Sequence, residues 1–222
     1  MNQRHRLLPL TGIAAAALWT TGLVLFRSAR SDDPTTADEI LAHYQANGDT
    51  IVLAVLAALL GSVFFLVFLS CLYTRLRESQ GPRGQLAPTV LAAGTAVAIG
   101  QFAVYSTDFD AALDSAKYPL SSTTAEVYFY SGDLWFVGAA AMAGLMLICT
   151  GAIALGTRAL PRWFGWVSLV LAVPLLLPPL APDFMFYGFP AWIAVASVLL
   201  GGRERTSVSD HSGMPKRATV AP

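Results

Sequence analysis

Residues 51–74 read IVLAVLAALLGSVFFLVFLSCLYT, twenty-four consecutive positions without a charge. As an α-helix rising 1.5 Å per residue, this stretch is about 36 Å long, enough to cross a hydrocarbon layer of about 30 Å. A helix is also the single-segment structure that satisfies its own backbone N–H and C=O groups in lipid. Working outward, comparable stretches occur at Leu7–Phe26, Ala87–Thr107, Leu134–Thr157, Trp163–Pro182 and Phe184–Gly202. The whole chain agrees: of 222 residues 55% are hydrophobic and 13% charged, with a mean hydropathy of +0.57. The fold class expected is all-α, a polytopic membrane bundle of six transmembrane helices formed by residues 1–202, with loops between the spans. Leu7–Phe26 is longer than the 7–15 apolar residues of a signal peptide and reads as a retained anchor. Residues 203–222, RERTSVSDHSGMPKRATVAP, lack the apolar side chains a core needs and read as a disordered cytoplasmic tail.

Orientation follows from Lys and Arg, which are retained on the cytoplasmic side of short segments. Eleven of the fourteen basic residues lie on one side: Arg4, Arg6, Arg75, Arg77, Arg83, Arg158, Arg162, Arg203, Arg205, Lys216 and Arg217. Both termini are therefore expected in the cytoplasm, and the protein in the cell membrane as a multi-pass chain. Eleven of the fourteen acids fall on the opposite side. Because Asp and Glu do not set topology, this second asymmetry carries information of its own.

Several chemistries are excluded. The formal net charge is zero, which argues against a nucleic-acid partner. Cys71 and Cys149 fall within spans, where a thiol is ordinarily a small buried side chain. His5, His43 and His211 lie outside the spans and cannot ligate haem or a metal inside the bundle. No phosphate-binding glycine loop or zinc spacing is present, so no metal and no cofactor is expected.

The unusual chemistry lies between Gln101 and Phe136, QFAVYSTDFDAALDSAKYPLSSTTAEVYFYSGDLWF. Gln101, Tyr105 and Asp108 are spaced i, i+4, i+7 and share a helix face running down from the outer boundary. Glu126, Tyr130 and Asp133 repeat that spacing at the start of the fourth span, so two polar stripes could line a groove. Ionisable groups at membrane depth are costly and are functional candidates. Asp133, between Tyr128-Phe129-Tyr130 and Trp135-Phe136, is the best placed, since apolar neighbours favour the protonated, proton-donating form. The plain alternative makes Asp133 an N-terminal helix cap, and Asp108, Asp110 and Asp114 ordinary loop acids. The outer aromatic residues, including Trp135, Phe136, Tyr187 and Trp192, could form an interfacial belt. They could equally wall a cavity that stabilises a cation. Acid donors beside aromatic walls suit proton-initiated chemistry on an alkene or epoxide.

The stretch VYFYSGDLWFVGAAAMAG, with GTRALPRWFGWVSLVLA closing residues 127–172, resembles a group of small bacterial six-helix membrane proteins. In outline the chain is also similar to bacterial membrane-bound terpene cyclases, which close the prenyl chain of prenylated indoles and related alkaloids. That resemblance implies protonation of a terminal alkene or epoxide without metal or diphosphate loss. Asp108-Phe109-Asp110 resembles the acidic donor motif of soluble proton-initiated cyclases but lacks its two adjacent terminal aspartates, so no single catalytic residue transfers.

Together these readings set an expectation. A lipophilic prenylated small molecule would enter from the lipid bilayer. Asp133, Asp108 or Asp110 would supply the proton, and Gln101, Tyr105, Glu126, Tyr130, Trp135, Phe136, Tyr187 and Trp192 would bind substrate. A small-solute transporter would instead be expected to place paired charges deep in several spans, and a noncatalytic accessory protein would need neither feature.

Overall fold

The computed structural model describes residues 8–29, 36–81, 83–117, 120–157 and 159–211, and they contain no strand. A single 3-10 turn, Leu8–Leu10, leads into α1 (Thr11–Ala29). It is followed by α2 (Ala37–Gln80), α3 (Leu86–Lys117), α4 (Ser122–Thr157) and α5 (Arg162–Leu175). A helical turn, Ala181–Asp183, and a π-helical segment, Phe184–Gly188, then run directly into α6 (Phe189–His211). Five helices are long and apolar enough to cross a membrane: Thr11–Ala29, Ala37–Gln80, Leu86–Asp114, Ser122–Thr157 and Ala181–Gly202.

Helix α2 is the central post, packed against α1, α3 and α4; α5 packs on α4, and α6 on α1. Its inward stripe, Phe65, Phe68, Leu69, Leu72 and Leu76, is fully buried. Rings then link the helices in series. Trp19 of α1 meets Phe65 at 5.0 Å and stacks on Phe189 of α6, Phe189 stacks on Trp192, and Trp192 stacks on Phe164 of α5 at 5.2 Å. The polar tips of this chain are satisfied internally, Trp19 Nε1 donating to Ala58 O at 3.1 Å and Trp192 Nε1 to Ser168 Oγ at 2.8 Å. Glycine allows the closest helix approaches, as expected where lipid provides no hydrophobic drive for association. A Cβ on Gly22 would lie 2.9 Å from the Ala54 carbonyl oxygen across the α1–α2 contact.

The expected loops on the acidic side are largely helical. At 44 residues, α2 is about 66 Å long, roughly twice the thickness of a hydrocarbon core. It starts at a capping box in which Thr36 Oγ1 accepts from Glu39 N and the Glu39 carboxylate accepts from Thr36 N. α3 continues through Asp108 to Lys117, and α4 begins at Ser122 rather than at Leu134. These extensions carry the hydrophobic core of the bundle further along, with Ile40, Tyr44, Ala111, Ala112 and Ala125 buried in it. The folded helices thus extend well beyond the apolar spans.

Two further boundaries differ. α5 stops at Leu175, seven residues short of the expected Pro182, because Pro174, Pro178 and Pro179 remove successive backbone donors. The remaining groups turn back locally: Leu176 N donates to Ala172 O, Leu177 N to Pro174 O and Ala181 N to Leu177 O. At the other end of the chain, the backbone stays helical past Gly202 to His211, and residues 212–222 of the expected tail lie outside the described residues.

Candidate functional site

A recess of about 230 Å³ opens at the acidic end of the bundle, between the α1/α6 pair and the α3/α4 pair. One wall consists of Leu23 and Phe26 from α1 with Pro182 and Phe186 from the segment leading into α6. Facing it are Val104, Tyr105 and Asp108 of α3 and Phe129, Gly132, Asp133 and Phe136 of α4. The π-helical segment that carries Phe186 forms part of this wall, and such local widenings of a helix concentrate at functional sites.

Tyr105 and Asp108 of the α3 stripe line the recess, whereas Gln101, one turn deeper on the same face, is packed in the bundle and does not line it. Gln101 and Tyr105 are buried, Asp108 is half-buried, and the Tyr105 ring meets Phe26 edge-on at 6.1 Å. Asp108 is fixed from a third helix: Tyr44 of α2, only 1% exposed, donates its hydroxyl proton to Asp108 Oδ1 at 2.7 Å. A bond of this length fixes the orientation of the Asp108 carboxyl group. Tyr44 was not among the expected site residues, although its signal was present. Ile40 and Tyr44, four apart after the Thr36-x-x-Glu39 capping box, mark an inward helix face.

The α4 stripe is rotated. The face lining the recess is Phe129, Gly132, Asp133 and Phe136, spaced i, i+3, i+4, i+7, and not Glu126, Tyr130 and Asp133. Glu126 and Tyr130 are exposed and do not line the recess. Burying two Phe and seating Gly132 against α3 sets this rotation, and a Cβ there would lie 3.2 Å from Val104 O. Asp133 belongs to both stripes, so it stays at the recess, but on the exposed rim. It is the twelfth residue of α4, which also removes its alternative role as an N-terminal cap.

Four other expected site residues lie elsewhere. Asp110 is exposed and does not line the recess, because two residues along a helix turn a side chain about 200° away from Asp108. The same geometry turns Trp135 outward from Asp133, where it is exposed. Trp192, 3% exposed, is a structural ring in the core and is spent on Phe164, Phe189 and Ser168. Tyr187 is exposed; its hydroxyl accepts from Arg27 Nη1, and the Arg27 guanidinium lies 5.3 Å from its ring centroid. This clasp joins the chain positions next to Phe26 and Phe186, and so ties the two halves of one recess wall together. Phe136 and Phe186 meet across the recess with centroids 5.2 Å apart.

Among the described residues, no group of three or more His, Cys, Asp and Glu side chains is arranged to hold a metal ion. The buried polar side chains elsewhere are Ser62, Thr150, Ser168 and Ser197, none of them ionisable. Fold and recess thus define an all-helical bundle with five membrane-length helices and an acidic, aromatic mouth. The chain matches no family model, no curated protein and no solved structure.

Proposed function

We propose that the protein is a six-span cell-membrane enzyme that protonates and cyclises the prenyl chain of a lipophilic substrate in the outer-leaflet recess. The observation that carries this reading is the convergence of Asp108, Asp133, Tyr105 and four Phe side chains from separate helices on one partly closed cavity. Five crossings come from the long helices. The sixth combines α5, about 21 Å long, with the turn at 176–180, in which the N–H groups of Leu176, Leu177 and Leu180 donate to nearby carbonyls. With six crossings, both termini share the side carrying most of the Lys and Arg.

Asp108 is the proton donor in this scheme. Its carboxyl proton passes to the terminal alkene carbon, the π pair becomes the new C–H bond, and the charge is left on the neighbouring tertiary carbon. An internal alkene or the aromatic ring of the substrate attacks that carbon. The proton then lost from the ring-closed cation returns to the Asp108 carboxylate or to water, so the product is an isomer of the substrate. Tyr44 stabilises the carboxylate formed on proton delivery, and the Phe rings stabilise the cation. The recess is smaller than the 300–1,000 Å³ of typical ligand pockets, which suits it to the reacting terminus while the remaining chain lies in the bilayer. Among the described residues the deeply buried polar side chains Ser62, Thr150, Ser168 and Ser197 carry no charge, which favours chemistry at the mouth over a charged path through the bundle.

The test is to incubate membranes containing the protein with geranylated and farnesylated indoles and assay for ring-closed isomers. Asp108→Asn should abolish turnover, Asp133→Asn should reduce it, and Asp110→Asn should leave it unchanged. Absence of turnover with every prenyl substrate removes the cyclase reading, and acid-dependent solute uptake into proteoliposomes would replace it with transport.

A further inference from the structure

The recess has a second property that does not depend on turnover. Its rim carries a carboxyl group, Asp133, that makes no hydrogen bond or ion pair among the described residues. A second carboxyl, Asp108, is held at the recess by Tyr44. Phe26, Phe129, Phe136 and Phe186 line the same recess. Arg27, next to Phe26 of this wall, is turned onto the ring and hydroxyl of Tyr187 and makes no ion pair with Asp133. A mouth walled by rings attracts a cation twice over, through the rim carboxylate of Asp133 and through the ring quadrupoles. The compact volume limits the charged group to a small head, and the exposed apolar helix faces around the mouth require a hydrocarbon tail to remain in lipid.

We infer that the recess is a binding site for lipophilic organic cations, compounds with a small substituted ammonium head on an alkyl or isoprenoid chain. Within the proposed function, which this deepens, such compounds are stable mimics of the carbocation. Recognition of the stable ammonium itself requires no chemical step.

The experiment places the full chain in zwitterionic lipid nanodiscs and titrates it with trimethylgeranylammonium. Its uncharged isostere, in which carbon replaces the nitrogen, is titrated in parallel, and binding to empty nanodiscs is subtracted. One cation–π contact together with one carboxylate predicts a preference of about tenfold or more for the ammonium compound. Asp133→Asn, an exposed position whose substitution leaves the core untouched, should lower affinity for the ammonium about tenfold and leave the isostere unchanged. Asp110→Asn, off the recess, should have no effect. Equal affinity for the two compounds, or a preference that survives both Asp133→Asn and Asp108→Asn, overturns the inference. Selective ammonium binding without turnover of any prenylated indole upholds cation recognition and removes the cyclase reading. Turnover without ammonium selectivity does the reverse.

Discussion

The hydrogen bond from Tyr44 to Asp108 holds the outer extension of α2 to the recess, and its strength can be worked out from its setting. It is 2.7 Å long, one partner is almost fully buried, and the other is a half-buried carboxyl group. Bonds to charged groups contribute about 1.5–3 kcal/mol, against about 1 kcal/mol for neutral pairs. Tyr44→Phe keeps the ring in its buried slot and removes only the donor, so the stability lost should be about 1–3 kcal/mol. Asp108→Asn retains an amide oxygen that can accept the same proton, and should cost about 1 kcal/mol. Across the double-mutant cycle, a coupling energy of about 1–2 kcal/mol is expected. Reversible unfolding of the purified protein in bicelles, followed for the wild type, both single variants and the double variant, measures that coupling. Single effects below about 0.5 kcal/mol with additive behaviour would show that the extension is held by its apolar core alone, and Tyr44 would lose its place in the site.

Other consequences are equally direct. Gly22→Ala should destabilise the bundle by about 1–3 kcal/mol, because the new methyl group meets the Ala54 backbone oxygen, which cannot rotate away. Gly138→Ala, with nothing within 4 Å, should be neutral or stabilising by up to about 1 kcal/mol in the same unfolding assay. Trp19→Phe keeps ring packing on Phe65 but loses the bond to Ala58 O, and should cost about 0.6 kcal/mol, typical of polar contacts between membrane helices. For topology, a cysteine at Glu126 in a Cys71→Ser, Cys149→Ser background should react with an impermeant maleimide on intact cells. A cysteine at Arg83 should react only after permeabilisation, and the opposite pattern would invert the proposed orientation.

The spans were legible because apolar runs such as 51–74 exceed what any loop tolerates, and hydrophobicity alone reports them. The outer extensions were not, since Ala37–Thr50 and Ser122–Asp133 mix charged and apolar residues, and their helicity rests on caps and on a periodic inner face. Thr36-x-x-Glu39 and the Ile40–Tyr44 pair carried that signal, but hydropathy averages across it. At the site, spacing placed Tyr105 and Asp108 on the inward face of α3 and kept Asp133 at the recess. The same spacing misassigned Glu126 and Tyr130, because a stripe fixes which residues share a face but not which face turns inward. Packing decided that: Phe129, Gly132 and Phe136 fit against α3 and the α6 lead-in better than a carboxylate and a phenol. Trp192 illustrates the converse. An aromatic residue near the mouth in sequence is consumed by the core when a hydroxyl such as Ser168 lies within reach of its indole nitrogen.

Proton delivery by Asp108 is tested most directly by running the prenylated-indole reaction in deuterated buffer and weighing the ring-closed product. The account requires that wild-type product carry one deuterium at the former terminal alkene carbon and that Asp108→Asn yield no product. A ring-closed product without that label, or undiminished labelled product from Asp108→Asn, would contradict it.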